Sequence, residues 1–93
     1  MKIAVEDTVM SRIKLDEQQK YTFRYRITLQ PRDINFGGHL GNDSLVTLIG
    51  SARADMFRSL GFHEGNLGDE RTAIIMSDLV VNYRNEAFMF DEI

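Results

Sequence analysis

A chain of 93 residues, 43% of them apolar, can build one modest core, and association with a second copy would enlarge what it buries. Its 11 basic and 14 acidic residues give a net charge of −3, and Arg24, Arg26, Arg32, Arg53, Arg58, Arg71 and Arg84 form no run. That excludes nucleic acid as the main partner, since phosphate binding needs clustered Lys and Arg, while the lack of cysteine excludes disulfides, thiolate nucleophiles and Cys-based zinc sites.

Residues 1–20 are weakly patterned and read as an N-terminal extension with a short strand or helix. Glu6 and Asp7 come too early for a signal peptide. No apolar run approaches the ~20 residues of a membrane helix, so the expected address is cytoplasmic. The domain proper is expected over residues 21–93.

Tyr21, Phe23, Tyr25, Ile27 and Leu29 alternate with Thr22, Arg24, Arg26 and Thr28. Period two predicts a strand with one dry and one wet face. Pro31 stops its ladder by removing a donor. Arg32–Gly41 is expected to be a loop, loosened by Gly37, Gly38 and Gly41. Asn42, Asp43 and Ser44 are all good helix caps, and the helix they start should run to Leu60 and end at Gly61. Leu45, Leu48, Ile49, Ala52, Met56 and Leu60 make one apolar stripe, which Val46, Gly50, Ala54 and Phe57 widen past half the circumference. Such a helix is expected to be central and wrapped.

Phe62–Arg71 reads as an exposed loop and Thr72–Tyr83 as a second strand. Arg84-Asn85-Glu86 reads as a turn, and Phe88-Met89-Phe90 as the start of a further strand. The class is therefore α+β. Two strands and a fragment are too few to wrap this helix, so either the chain is incomplete or another subunit supplies the rest.

The chemistry gathers in Asp33-Ile34-Asn35-Phe36-Gly37-Gly38-His39-Leu40-Gly41-Asn42. A carboxylate, an imidazole and two carboxamides surround three glycines beside a helix start. Free amides at a helix N-terminus favour developing negative charge. Here they could stabilise an oxyanion, with Asp33 or His39 moving a proton. Plainer roles stand beside these: a turn residue for Asp33, a cap for Asn42 and a loop residue for His63. Arg53, on the apolar arc, would snorkel toward water or a carboxylate. Two histidines without a third ligand argue against a metal site.

At these residues the sequence resembles the hot-dog-fold thioesterases, in their 4-hydroxybenzoyl-CoA-thioesterase-like branch. That branch shows Asp-x-Asp-x-x-Gly-His-x-x-Asn, matched here by Asp33, Gly38, His39 and Asn42, with Asn35 at the second Asp. Ser51-Ala52-Arg53 sits where the helix often has Glu-Ala-Arg, and Phe57–Gly61 looks like its usual end. Val81-Asn82-Tyr83 and then Asp91-Glu92-Ile93 look like the second strand and the entry to the third. The resemblance covers about residues 21–93.

It implies a central helix in a curved antiparallel sheet, with the last strands lying beyond this chain, and active sites at a homodimer or higher homo-oligomer interface. The implied reaction is hydrolysis of an acyl-CoA or acyl-carrier thioester, with no cofactor and no membrane partner. Carried over by position, Asp33, Asn35 and His39 are the catalytic residues, and Gly38, Leu40, Asn42 and Ser51 bind substrate. His39 and the amides of Gly38 to Leu40 would polarise the carbonyl, Asn35 would orient water or substrate, and Asp33 would be the base. Both usual carboxylate positions are occupied otherwise, by Asn35 and Ser51. The alternative is therefore a non-catalytic hot-dog subunit that binds acyl groups or serves in an assembly.

Overall fold

The computed structural model describes residues 13–93. The first part of the expected N-terminal extension, and any element within it, lies outside the described residues. Residues 13–20 form no helix or strand. They run beside Asn82, whose carboxamide accepts from the Leu15 amide at 2.6 Å and donates to the Ile13 carbonyl at 2.9 Å. The Arg84 guanidinium adds a bond to the Leu15 carbonyl. One Asn side chain thus imitates a paired peptide group where no strand is formed.

The helix α1 spans Asn42–Ser59, with Gly41 as N-cap in an extended conformation. Its end is the one the sequence predicts. Leu60 is the C-cap and Gly61 follows at φ 84°. The Gly61 amide donates to the Arg58 carbonyl at 3.0 Å and the Phe62 amide to that of Phe57 at 3.1 Å. Those two bonds are the Schellman pattern, and the Phe57 and Phe62 rings, 5.4 Å apart, supply its hydrophobic contact.

Upstream, the predicted alternation is visible in burial. Phe23, Tyr25 and Ile27 are half-buried and Leu29 fully buried, whereas Thr22, Arg24, Arg26 and Thr28 are exposed. The expected strand ladder is not. Pairing is confined to the end of the segment, where Ile27 and Ile93 exchange amide–carbonyl bonds of 3.0 and 2.9 Å around an antiparallel bridge from Thr28 to Glu92. Leu29 donates to Asp91 at 2.8 Å and accepts from Phe90 at 2.9 Å, so two residues oppose one, as in a bulge. Pro31 opens a short 3-10 turn over Pro31–Asp33, where its missing N–H costs nothing.

Two other expectations need correction. Residues 72–80 are exposed throughout, and among the described residues no main-chain hydrogen bond joins 75–80 to a neighbour. An extended segment becomes a strand only when a neighbour takes its N–H and C=O groups, and none does here. Phe88-Met89-Phe90 belongs to a turn closed by Asp91 N–H to Phe88 C=O at 3.0 Å, with Phe90 at φ 67°. Strand-like pairing begins only after that turn.

Nor is α1 wrapped. Leu48 is its one buried side chain, Leu45, Ile49, Ala52 and Met56 are half-buried, and Val46 and Leu60 are exposed. Among the described residues the buried apolar core is Leu29 and Leu48. Isolated bridges offer too little surface to cover an apolar stripe of that width. The outer end of α1 is instead tied to the next loop by an ion pair between Arg53 and Glu64, the carboxylate that a snorkelling Arg53 was expected to find.

That loop builds itself from local bonds. His63 and Asn66 form an antiparallel bridge, and the Asn66 carboxamide accepts from Gly68 and Glu70. Asp69 accepts from the amides of Arg71 and Thr72 and from the Thr72 hydroxyl. The Thr72 hydroxyl first, then those amides, hold the Asp69 carboxyl below its ordinary value.

Two measurements check this account. Gly61→Ala places a Cβ in the left-handed region and should lower stability by about 1 kcal/mol, read from the denaturation midpoint at unchanged slope. Because the folded Asp69 value is depressed, its contribution is complete above the unfolded value and is lost as pH falls through the folded one. The amide shifts of Arg71 and Thr72 should therefore titrate together below the ordinary Asp range of about 3.9. Thr72→Val should move that midpoint upward.

Candidate functional site

The turn between the 3-10 segment and α1 is closed by its own polar groups. The Asn35 amide donates to the His39 carbonyl at 2.8 Å, and Gly38 donates to the Asn35 carbonyl at 3.0 Å. The Asn35 carboxamide oxygen accepts from Gly37 at 3.0 Å and from His39 at 3.2 Å. Gly38 sits at φ 82°, a conformation that a side chain would strain. At the base of the turn, an antiparallel bridge joins Ile34 to Leu40, and the Gly41 amide reaches the Asp33 carbonyl at 2.9 Å. Phe36, at the tip, stands wholly in solvent.

A second segment docks against this turn. The Leu40 amide donates to the Ala87 carbonyl at 2.7 Å, which brings residues 84–91 alongside. The Phe88 ring lies 5.1 Å from the His39 ring, tilted by 43°. The Glu86 carboxylate comes within 3.4 Å of His39 Nδ1. Tyr83 donates its hydroxyl to the Asn42 carbonyl at 3.3 Å, at the first turn of α1. Sequence reasoning missed Tyr83, Glu86 and Phe88 as neighbours of the site, because nothing in their spacing announces a contact across more than forty residues of chain.

The predicted site residues separate into groups. Asp33 is 6% exposed, and its Oδ2 accepts from the Gln30 amide at 2.8 Å, closing the 3-10 turn. This is the turn-residue role, with the other oxygen, Oδ1, 4.0 Å from Arg32 Nε. The amides of Gly38, His39 and Leu40 are not free for a carbonyl, which corrects the expectation placed on them. Their partners are the Asn35 carbonyl, the Asn35 carboxamide and the Ala87 carbonyl. The same bonds spend the Asn35 oxygen that was expected to orient water.

Asn42 is exposed in the first turn of α1, one residue after the N-cap, and its Oδ1 accepts from Asp43 at 2.9 Å. Among the described residues the amides of Asn42 and Ser44 have no partner. Ser51 bonds back to the Thr47 carbonyl at 3.3 Å, as a helical serine ordinarily does. It lies nine residues beyond Asn42, roughly 13 Å along the axis at about 1.5 Å per residue, so it is not part of the cluster around the turn.

His39 is the other titratable residue of the turn. Its side chain is 36% exposed, yet Nδ1 is buried and makes no hydrogen bond that meets full geometric criteria. Nε2 is not closed off in this way. The ring therefore has one inward nitrogen facing a carboxylate and another that remains accessible. Among the described residues no group of three or more His, Asp or Glu could hold a metal ion. No helix among them is long and apolar enough to cross a membrane.

The profile of the Thioesterase-like superfamily matches residues 29–93, which takes in the turn, α1 and the docked segment. That superfamily implies the α+β hot-dog fold. No curated protein and no solved structure gives a significant match.

Asp33→Asn distinguishes a turn residue from a base. Its side-chain oxygen can still accept from Gln30, but without charge, so stability should fall by about 1 kcal/mol. Any turnover should persist within about threefold in kcat, whereas loss of a general base costs about 10²-fold or more.

Proposed function

The chain belongs to the thioesterase-like superfamily, and from that membership we propose that it hydrolyses an acyl-CoA or acyl-carrier thioester, with His39 as the general base. The observation that carries this reading is the accessible imidazole nitrogen at the mouth of α1, inside the matched region. Asp33 and Asn35 support the turn that presents it, by the bonds already described.

In this mechanism a water oxygen adds to the thioester carbonyl carbon while His39 Nε2 takes its proton. The carbonyl electrons move onto oxygen. The unpartnered amides of Asn42 and Ser44, at the positive end of α1, are the donors available to that oxyanion. When the intermediate collapses the C–S bond breaks, and the imidazolium returns its proton to sulfur. The products are the free acid and the thiol, and His39 is neutral again. Gly38 and Leu40 shape the approach to that spot, and Asn42 borders it. Ser51, farther along α1, is left to the acyl side of the substrate path.

The wrapped helix and the homodimer or higher homo-oligomer belong to the same proposal, as does a single thioesterase-like domain over residues 21–93. What supports them is apolar surface: Val46 and Leu60 on α1, with Ile74, Ile75, Met76, Leu79 and Val80, all lie exposed. A non-catalytic acyl-binding subunit is the second reading, favoured by Asn35 and by the commitment of its side-chain oxygen to the main chain.

One assay decides between them. Thiol release from short-, medium- and aromatic-acyl CoAs should be measurable, and His39→Ala should lower kcat by about 10²-fold or more. Binding of acyl-CoA without thiol release would establish the non-catalytic subunit instead.

A further inference from the structure

Glu86 has no place in the family pattern quoted above and lies in a segment that reads as an ordinary turn. The turn itself sets no carboxylate against His39: position 35 is an amide, and Asp33 is buried with Oδ2 bonded to Gln30 and Oδ1 near Arg32. The docked segment brings one from elsewhere. Glu86 Oε2 stands 3.4 Å from Nδ1, an atom shut off from solvent that nothing else among the described residues partners.

We propose that Glu86 is the positioning residue of His39, holding the imidazole in the tautomer with its proton on Nδ1 and its lone pair on Nε2. The catalytic consequence rests on the hydrolase reading above; the pairing itself does not. The chemistry is that of any carboxylate set behind a histidine. A buried N–H seeks an acceptor, and a carboxylate is acceptor-only when ionised. Fixing the proton on one nitrogen leaves the other as the base. When Nε2 then takes a proton from water, the positive ring faces a negative group on its far side. Glu86 takes no proton and forms no bond to substrate.

The surroundings fix the ring as well as the tautomer. Phe88 covers the imidazole at 5.1 Å between centroids. On the turn side, Gly37 lies against the ring: a Cβ there would stand 3.4 Å from His39 Cδ2, ordinary contact distance, and 3.3 Å from Asn35 Oδ1. The contact is not yet a hydrogen bond: at 3.4 Å it is longer than a charge-assisted one, and the ring N–H is not aligned on the carboxylate, so a small rotation of the exposed Glu86 side chain must complete it. Catalytic hydrogen bonds are often long before substrate binds and tighten afterwards. The Glu86 side chain is 69% exposed, so replacing it removes the acceptor without opening the core.

The test compares the full chain with its Glu86→Gln variant by two readouts. Ring nitrogen chemical shifts, assigned to His39 with the help of a His63→Gln variant, report the tautomer at a pH where the ring is neutral. The parent should show mainly the proton on Nδ1, and Glu86→Gln should move the population toward Nε2, because a carboxamide can itself donate to Nδ1. In thiol release, kcat should fall at least about tenfold with KM within about twofold, as expected for a wrong tautomer at intact geometry. Glu92→Gln, a control carboxylate beside Arg26 at 4.0 Å, should change neither. An unchanged tautomer in Glu86→Gln overturns the proposal, whatever the turnover. A tautomer change in a chain that releases no thiol supports the pairing and defeats the hydrolase reading alone.

Discussion

Leu29 is the one fully buried large side chain among the described residues, and the main-chain bonds on either side of it hold together two segments about sixty residues apart. Its amide and carbonyl pair with Asp91 and Phe90, and Ile27 pairs with Ile93 two residues away. Everything at the site follows from that clasp. It returns residues 84–91 to the 3-10 turn, where the Leu40 amide finds the Ala87 carbonyl. Glu86 and Phe88 then flank His39. The burial of one leucine is worth a few kcal/mol at most, so the directional bonds set the geometry.

The polar groups of the turn divide into those that build it and the one that remains. Asp33 holds the 3-10 segment, and Asn35 takes two amides and so shapes the five residues up to His39. A carboxylate at position 35 would be drawn to the same amides. An Asn there keeps the turn without adding charge, which leaves His39 as the only titratable side chain of the turn facing outward. At position 35 the turn thus holds an amide bonded to its own main chain. Glu86 brings a negative group from the opposite direction.

Exposed apolar surface is the other large feature. Ile75 is 90% exposed, and the stripe of α1 is only half covered. Burying such side chains would be worth about 1.5–3 kcal/mol each. A chain that leaves this much unburied has a strong thermodynamic reason to associate. The same faces make residues 72–83 strand-like in sequence, β-branched and partly alternating, although the main chain of 75–80 is unpaired among the described residues.

What the sequence determined by itself was local. The C-terminus of α1 was legible because a Schellman end needs only Gly61, its two flanking aromatic rings and bonds within six residues. Its start was legible to within one to three residues: the expected caps Asn42, Asp43 and Ser44 fall inside the helix, because Gly41 already has the cap backbone. The two faces of 21–29 were legible because period two is a property of the backbone. The chemistry-bearing turn was found from composition, and the matched family profile covers it. Tertiary structure alone decided which segment pairs with Leu29, whether 72–80 has a neighbour, and which carboxylate meets His39. Those outcomes depend on hydrogen-bond partners distant in sequence, and a free N–H or C=O carries no mark of the partner it will take. For the same reason the amides of Gly38 to Leu40 looked available in sequence and proved engaged in the fold.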